Sequence, residues 1–505
     1  MNKKLLGIVS MIILSLLMTA PVFAGLSGPG VTGINVQNLS TTDDATVNLD
    51  LYPQGGGTVV SLASNDTISK SSAKTYYLGN YPSIGSGSYS LVISSSQPAA
   101  AVARTDWSST GGAAIYTSTE TSNDIIIPLV TKAFANQTSQ FTVQNTDTEN
   151  DINDVVIKLF DRGSSTPRVV TQPQSIAKGS SKTWTMNDAI WGSLPNTGLD
   201  LGTTGYLGSI EITSSTPLVA QSFIDVSGSP AVAGFNGVAK SSASDTLYCP
   251  LVRANYYGDT GINIVNVTDN PITATIVFKS AAGSPNTGTY TQTLSVPANS
   301  LAIAFQGPGG NSRSAPTNLP AGTGQTMSNP TPTNTGFYGS ATVTFSGGEG
   351  MAVVNDTKFG AGWAVKTQSS YNCVPAIEGG TKFALPLVRS FHLSGQKLTT
   401  GITFQNMTNN PVTVSFQLFN YDGSSQPCSP ANLCTNIPIP ANGSANVWSG
   451  FWTGLPTVPP SQGGYGWYGS AIVTATGGNI TVEVSDEGYG SVAVDSANYI
   501  GLKIQ

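Results

Sequence analysis

The sequence predicts an all-β protein, a tandem array of four β-sandwich repeats that follow an N-terminal leader. Three observations carry this. Charged residues make up only 10% of the chain while Gly, Ser, Thr and Asn abound, which suits strands joined by uncharged polar loops better than helices. Hydrophobic residues make up 39% and recur in short runs alternating with polar ones, enough to build cores and unlike the apolar-poor, highly charged composition of disordered chains. The third is self-similarity, because one set of short motifs returns four times.

The leader comes first. Lys3 and Lys4 precede the apolar run "LLGIVSMIILSLLM", and "PVFA" then supplies the residues before a cut after Ala24, so residues 1–24 read as a secretory signal peptide. After that cut no apolar stretch approaches the roughly 20 residues of a membrane helix, and the closing "YIGLKIQ" carries no sorting or lipidation box. The expected location is secreted, extracellular or on the cell surface, with no membrane insertion once the leader is gone. A net charge of −6 with few basic residues argues against nucleic acid as a partner.

Each later repeat opens on an apolar run containing Pro-Leu-Val, at Pro128, Pro250 and Pro386; the first repeat has no such lead. Proline is tolerated at the first residue of a strand, so the motif is expected where a linker becomes a sandwich. An apolar strand ending in Asn follows, "GINVQN", "FTVQN", "INIVN" and "ITFQN". A polar turn leads to an alternating strand, "ATVNLDLY", "DVVIKLFD", "ITATIVFK" and "VTVSFQLF". Then come a turn rich in Gly, Ser and Asn and a further strand, as in "SIAKGSSKTWTM" and "PIPANGSANVW". A hairpin closes each copy. It begins at Gly208, Gly339 or Gly469 of a Gly-Ser pair, or at Tyr89 in the first copy, and ends at a common spacing on Asp225, Asp356, Asp486 or Asp106. The repeats are therefore set at 25–124, 125–247, 248–376 and 377–505, as beads with short links.

Units of about 100 residues or a little more with this strand pattern resemble the tandem immunoglobulin-like or fibronectin-like β-sandwich modules of bacterial secreted and surface proteins. The resemblance covers nearly the whole chain after the leader. It implies a display, spacing or adhesion role.

The recurring polar residues are candidate rim pairs: Asn38 with Asp106, Asn145 with Asp225, Asn266 with Asp356, and Asn406 with Asp486. Strand parity turns the asparagines inward, since Ile34, Val36 and Asn38 share a face, and likewise Asp486 with Val482 and Val484; the first two copies are less clean, since Arg104 precedes Asp106 by two and Gln221 precedes Asp225 by four. An inward polar group must find partners, and the loop backbone is the nearest supply. Each pair is therefore expected to pin the loops at one end of its module. An internal Lys–Asn isopeptide bond would need a Lys in register, but Thr131, Arg253 and Arg389 follow the Pro-Leu-Val motifs. Calcium has one dense candidate, the turn with Asp147, Glu149, Asp151 and Asp154, which reads as a solvated acidic turn.

Four cysteines in an exported chain are expected as disulfides, with Cys428 and Cys434 closing a small loop and Cys249 and Cys373 bridging the two ends of the third repeat. His392 is the only histidine, so histidine-based triads and metal sites have little to work with. No cofactor or metal is expected. The fourth repeat concentrates aromatic residues, and Trp448, Trp452 and Trp467 are candidates for stacking on sugars, against the alternative that they fill the core. The expected function is a non-catalytic surface, matrix or filament protein that spaces or adheres, with other surface proteins, itself or polysaccharide as partner. The alternative is an extracellular carbohydrate-binding protein using the aromatic cluster.

Overall fold

The computed structural model describes residues 12–18, 30–107, 112–198, 203–308, 319–320, 322–326, 328–361, 364–489 and 496–504. Lys3, Lys4 and the expected cut after Ala24 lie outside them. The described residues form antiparallel sheets and short 3-10 turns, and each repeat is a sandwich of an outer and an inner sheet. In the third repeat the outer sheet orders Thr289–Val296, Ile272–Ser280, Asn334–Ser346 and Thr246–Tyr256, and the inner sheet orders Leu301–Phe305, Asp259–Asn266, Gly350–Phe359 and Val365–Asn372. The other repeats follow the same plan. In the second, one long strand, Tyr206–Val226, runs through both sheets.

Alternation in sequence becomes alternation in burial. Val155, Ile157 and Leu159 are fully buried while Val156 and Lys158 between them are not. The Pro-Leu-Val motif corrects an expectation, because it lies inside its strand. Gly208 pairs with Val130 and Ile210 with Ile127, so Pro128 and Leu129 together face Ser209. The same two-against-one step falls at Pro250 and Leu251 and at Pro386 and Leu387. This is a β-bulge, a place in a sheet where proline's missing donor is harmless. Glycine in the facing Gly-Ser pair is required, because a Cβ on Gly469 would stand 1.9 Å from the Phe419 carbonyl oxygen and one on Gly339 2.1 Å from that of Lys279.

A bulge leaves a residue out of the ladder, and the closing strand supplies its partner. The Tyr371 hydroxyl donates to the Leu251 carbonyl at 2.5 Å and accepts from the Leu251 N–H at 3.1 Å. Tyr499 donates to the Leu387 carbonyl at 2.7 Å. Phe235 takes the matching place in the second repeat, beside Tyr116 in the first; this recurring aromatic position was not singled out from the sequence.

The modules are not separate beads. Their closing strands, Gly112–Thr117, Val232–Asn236, Val365–Asn372 and Ala497–Ile500, each pack against the next, and the fourth returns to the first. The cores are continuous in the same direction. Phe223 and Val232 of the second module join the first module's core, Val353 of the third joins the second's, and Val102, Ala113 and Ile115 of the first join the fourth's. A head-to-tail contact whose rotation closes makes a ring, here within one chain. Turn contacts repeat the cycle: Ser180 donates to the Pro53 carbonyl at 2.6 Å, the Gly163 N–H donates to Ser300 at 2.6 Å, and Lys279 donates to the Ala441 carbonyl.

Candidate functional site

The ring gathers the strands that carry the recurring Asn and Asp. Those two series lie at opposite ends of their paired strands, which corrects the expectation that they share one end. Asn406 faces Ile480 while Asp486 faces Thr400, and Asn38 faces Ala99 while Asp106 faces Val31. Antiparallel pairing forces this, because the end of one strand meets the start of the other.

The four asparagines do one job. Each side-chain amide donates into the following turn, to the carbonyl of Asp43, Asn150, Asn270 or Asn410 at 2.9, 2.8, 2.7 and 2.7 Å. Each also donates to a strand end, from Asn38 to the Ile68 carbonyl and from Asn406 to those of Ile439 and Pro440. Each side-chain oxygen accepts a turn N–H at 2.9 Å, from Ser40, Asp147, Thr268 or Thr408. All four residues are fully buried, so the bonds meet a need that water does not.

The aspartates meet arginines instead of loops. Arg253, next after Pro-Leu-Val, pairs with Asp356, and Arg389 at the same place lies 3.3 Å from Asp486. In the second module that place holds Thr131, and the register puts Ile224, not Asp225, where Asp356 and Asp486 stand, since Ser139 faces Ile224 as Thr260 faces Asp356 and Thr400 faces Asp486. Asp225, one residue on and so turned to the other face, is buried with Oδ1 unpartnered among the described residues. Burial pushes its carboxyl up to about 7, against one backbone hydrogen bond. In the first module Arg104 lies two residues before Asp106 on the same strand and bonds it at 2.8 Å.

These ion pairs cross module boundaries. Arg104 reaches Asp486 of the fourth module at 2.9 Å. Arg253 of the third reaches Glu487 of the fourth at 3.3 Å, and Lys358 reaches the same carboxylate at 3.0 Å. Despite burial, Lys358 and Arg253 hold Glu487 far below the usual carboxylate range, whereas burial pushes the neighbouring Glu483 up to about 8. Asp259, buried in the third module, is likewise pushed up to about 7 by burial.

At the other end of the closing strands lies a cavity of about 910 Å³ lined by all four modules. Asn372 donates to the Asn236 carbonyl at 2.8 Å, and Asn236 donates to the Thr117 hydroxyl at 2.9 Å, which links modules three, two and one. Asn498 of the fourth module is buried there with neither amide atom partnered. Hydroxyls and the charged Glu120, Glu378 and Lys503 share the lining with these amides.

The stacking candidates require a correction. Trp452 is 5% exposed and Trp467 is 1% exposed, and they meet edge to face with ring centres 6.4 Å apart. Trp467 donates to Asn420 at 2.7 Å. Neither presents a ring face to a sugar, because both fill the fourth core. Trp448 is half-buried and meets Phe391, Phe451 and Tyr489 at steep angles, so no flat platform forms.

Both disulfides are formed, Cys249 with Cys373 and Cys428 with Cys434. The first ties the third module's lead strand to the residue after its closing strand. In the acidic turn, Asp147 accepts from Glu149 and Asn150, Asp151 from Lys178, and Asp154 from Ser214 and Ser215, so three of the carboxylates serve the backbone and nearby side chains. Among the described residues no group of three or more His, Cys, Asp or Glu is placed to hold a metal ion. His392 is buried, with Nε2 2.9 Å from the Gln462 carbonyl, and burial lowers it to about 4.

Compared with protein-family models and with curated proteins, the chain finds no match. Fold and site define its class as an all-β protein of tandem β-sandwich repeats.

Proposed function

We propose that the chain is a non-catalytic, exported structural protein of immunoglobulin-like modules, acting as a surface, matrix or filament component that spaces or adheres. The observation that supports this best is the buried ion-pair network joining Arg104 to Asp486 and Arg253 to Glu487 across module boundaries. Such pairs cost desolvation and return a fixed mutual geometry. A rigid block suits a building unit better than a chain of flexible links does. Two disulfides fit an oxidising, extracellular setting, in line with the reading of residues 1–24 as a secretory leader.

Negative-stain electron microscopy of the exported protein, with and without insoluble polysaccharide, tests the reading. Filaments, sheets or regular arrays without added ligand support a structural subunit. Isolated particles that pellet with the polysaccharide would favour a binding module instead.

A further inference from the structure

The first repeat has no Pro-Leu-Val lead, yet its outer sheet is complete. Ile12–Met18, from the apolar heart of the leader, pairs antiparallel with Tyr89–Ser95. The register is that of the other lead strands on both sides of their bulge, which this segment lacks. Met18 faces Tyr89 where Val130 faces Gly208, Val252 faces Gly339 and Val388 faces Gly469. Leu16 faces Leu91 where Cys249 faces Ala341 and Leu385 faces Ala471.

The segment also takes the lead strand's place in the ring. Lead strands of modules two, three and four lie against the inner-sheet strands of modules three, four and one, and Ile12–Met18 lies against Gln137–Asn145 and Tyr206–Val226 of module two. One seven-residue segment thus closes both the first sandwich and the first seam. It is also the segment that export would remove. The cleaved chain keeps Leu91 and Ile93, buried in the first core, on a strand with an open edge.

We infer that the first module of the processed protein is an acceptor for a donor strand, an extended apolar peptide segment supplied by another polypeptide and paired antiparallel with Tyr89–Ser95. Strand addition at such an edge takes affinity from backbone hydrogen bonds and specificity from apolar side chains. The leader's own run shows the chemistry that fits, and each of the other three sandwiches holds a lead strand at this edge. Assembly would then be coupled to processing, since the site is filled in the precursor and opened by cleavage. The inference rests on the export reading.

The test begins with the intact mass of the exported protein. It continues with a Lys-flanked peptide carrying residues 12–18, added to that protein. A mass lacking residues 1–24, peptide binding by fluorescence anisotropy, and amide exchange across 89–95 slowed by about tenfold or more support the acceptor site. A peptide with Asp in place of Leu14 and Leu16 is expected not to bind, nor is the wild-type peptide to a chain of residues 12–505 made without export. A retained leader would overturn the donor strand while leaving the structural-unit reading intact. A cleaved protein that neither binds the peptide nor gains protection would overturn it also.

Discussion

Arg104 of the first module and Asp486 of the fourth form an ion pair 2.9 Å long, with both side chains 1% exposed and a sequence separation of 382. It joins the two ends of the array and closes the ring. Removing Arg104 leaves the buried Asp486 with Arg389 alone, at 3.3 Å, and removing Asp486 leaves Arg104 with Asp106 alone. Arg104→Met is expected to cost about 1.5–3 kcal/mol, the loss of a charged hydrogen bond, read by urea unfolding. Arg104→Met with Asp486→Leu should be less damaging than the sum of the two single changes, and simple additivity would deny the pairing.

The Asn hubs predict a distinction that shape alone would not. Asn406→Ala loses several buried bonds and should cost about 2–4 kcal/mol. Asn406→Asp keeps the shape but turns an acceptor toward the carbonyls of Asn410, Ile439 and Pro440, and is expected to be worse. Equal stability of wild type and Asn406→Asp in chemical denaturation would contradict this account.

Tyr371→Phe removes the one group that serves both polar atoms of Leu251 in the bulge. The expected loss is about 1–3 kcal/mol. Phe235 occupies the matching position in the second module, so Phe235→Tyr should gain a partner at its own bulge and be neutral or stabilising by thermal melting.

Asp225, Asp259 and Glu483 have folded-state values raised by burial to about 7, 7 and 8. A raised acid binds protons more tightly folded than unfolded, so its contribution is greatest below the unfolded value. That contribution is lost as the pH rises through the folded one. Stability is therefore expected to fall between about pH 4 and pH 8. Asp225→Asn should flatten part of that slope, raising the melting temperature at pH 8 and leaving it nearly unchanged at pH 4. A variant that melts lower at pH 8 would contradict an unpaired buried carboxylate there.

The two disulfides close loops of very different length, with sequence separations of 124 and 6. On the chain-entropy account they are worth about 5 and about 2 kcal/mol. Cys249→Ala with Cys373→Ala should therefore lower stability more than Cys428→Ala with Cys434→Ala, measured under identical oxidising conditions.

Local features were legible in the sequence because strand parity and turn chemistry are local. The Asn hubs follow from apolar residues at alternate positions ending on a polar one, and the lead-to-close disulfide from two cysteines at the ends of a repeat. The partners of the aspartates were less legible. Arg253 and Arg389 stand at a recurring position, but which carboxylates face them depends on how distant strands pack. Thr131 breaks the series in the second module. The ring itself had no local signal, since separate beads and a closed cycle use the same module sequences. What differs is a contact such as Arg104 with Asp486, visible only once the chain returns to its start. The aromatic cluster misled for a related reason, because Trp452 and Trp467 suit a binding face and a core equally well until burial decides.

Small-angle X-ray scattering of the purified protein tests the closed ring most directly. The account predicts a compact, single-peaked distance distribution with a radius of gyration near the roughly 23 Å expected for a compact chain of this length. An elongated profile above about 35 Å, as separate modules on links would give, would contradict it.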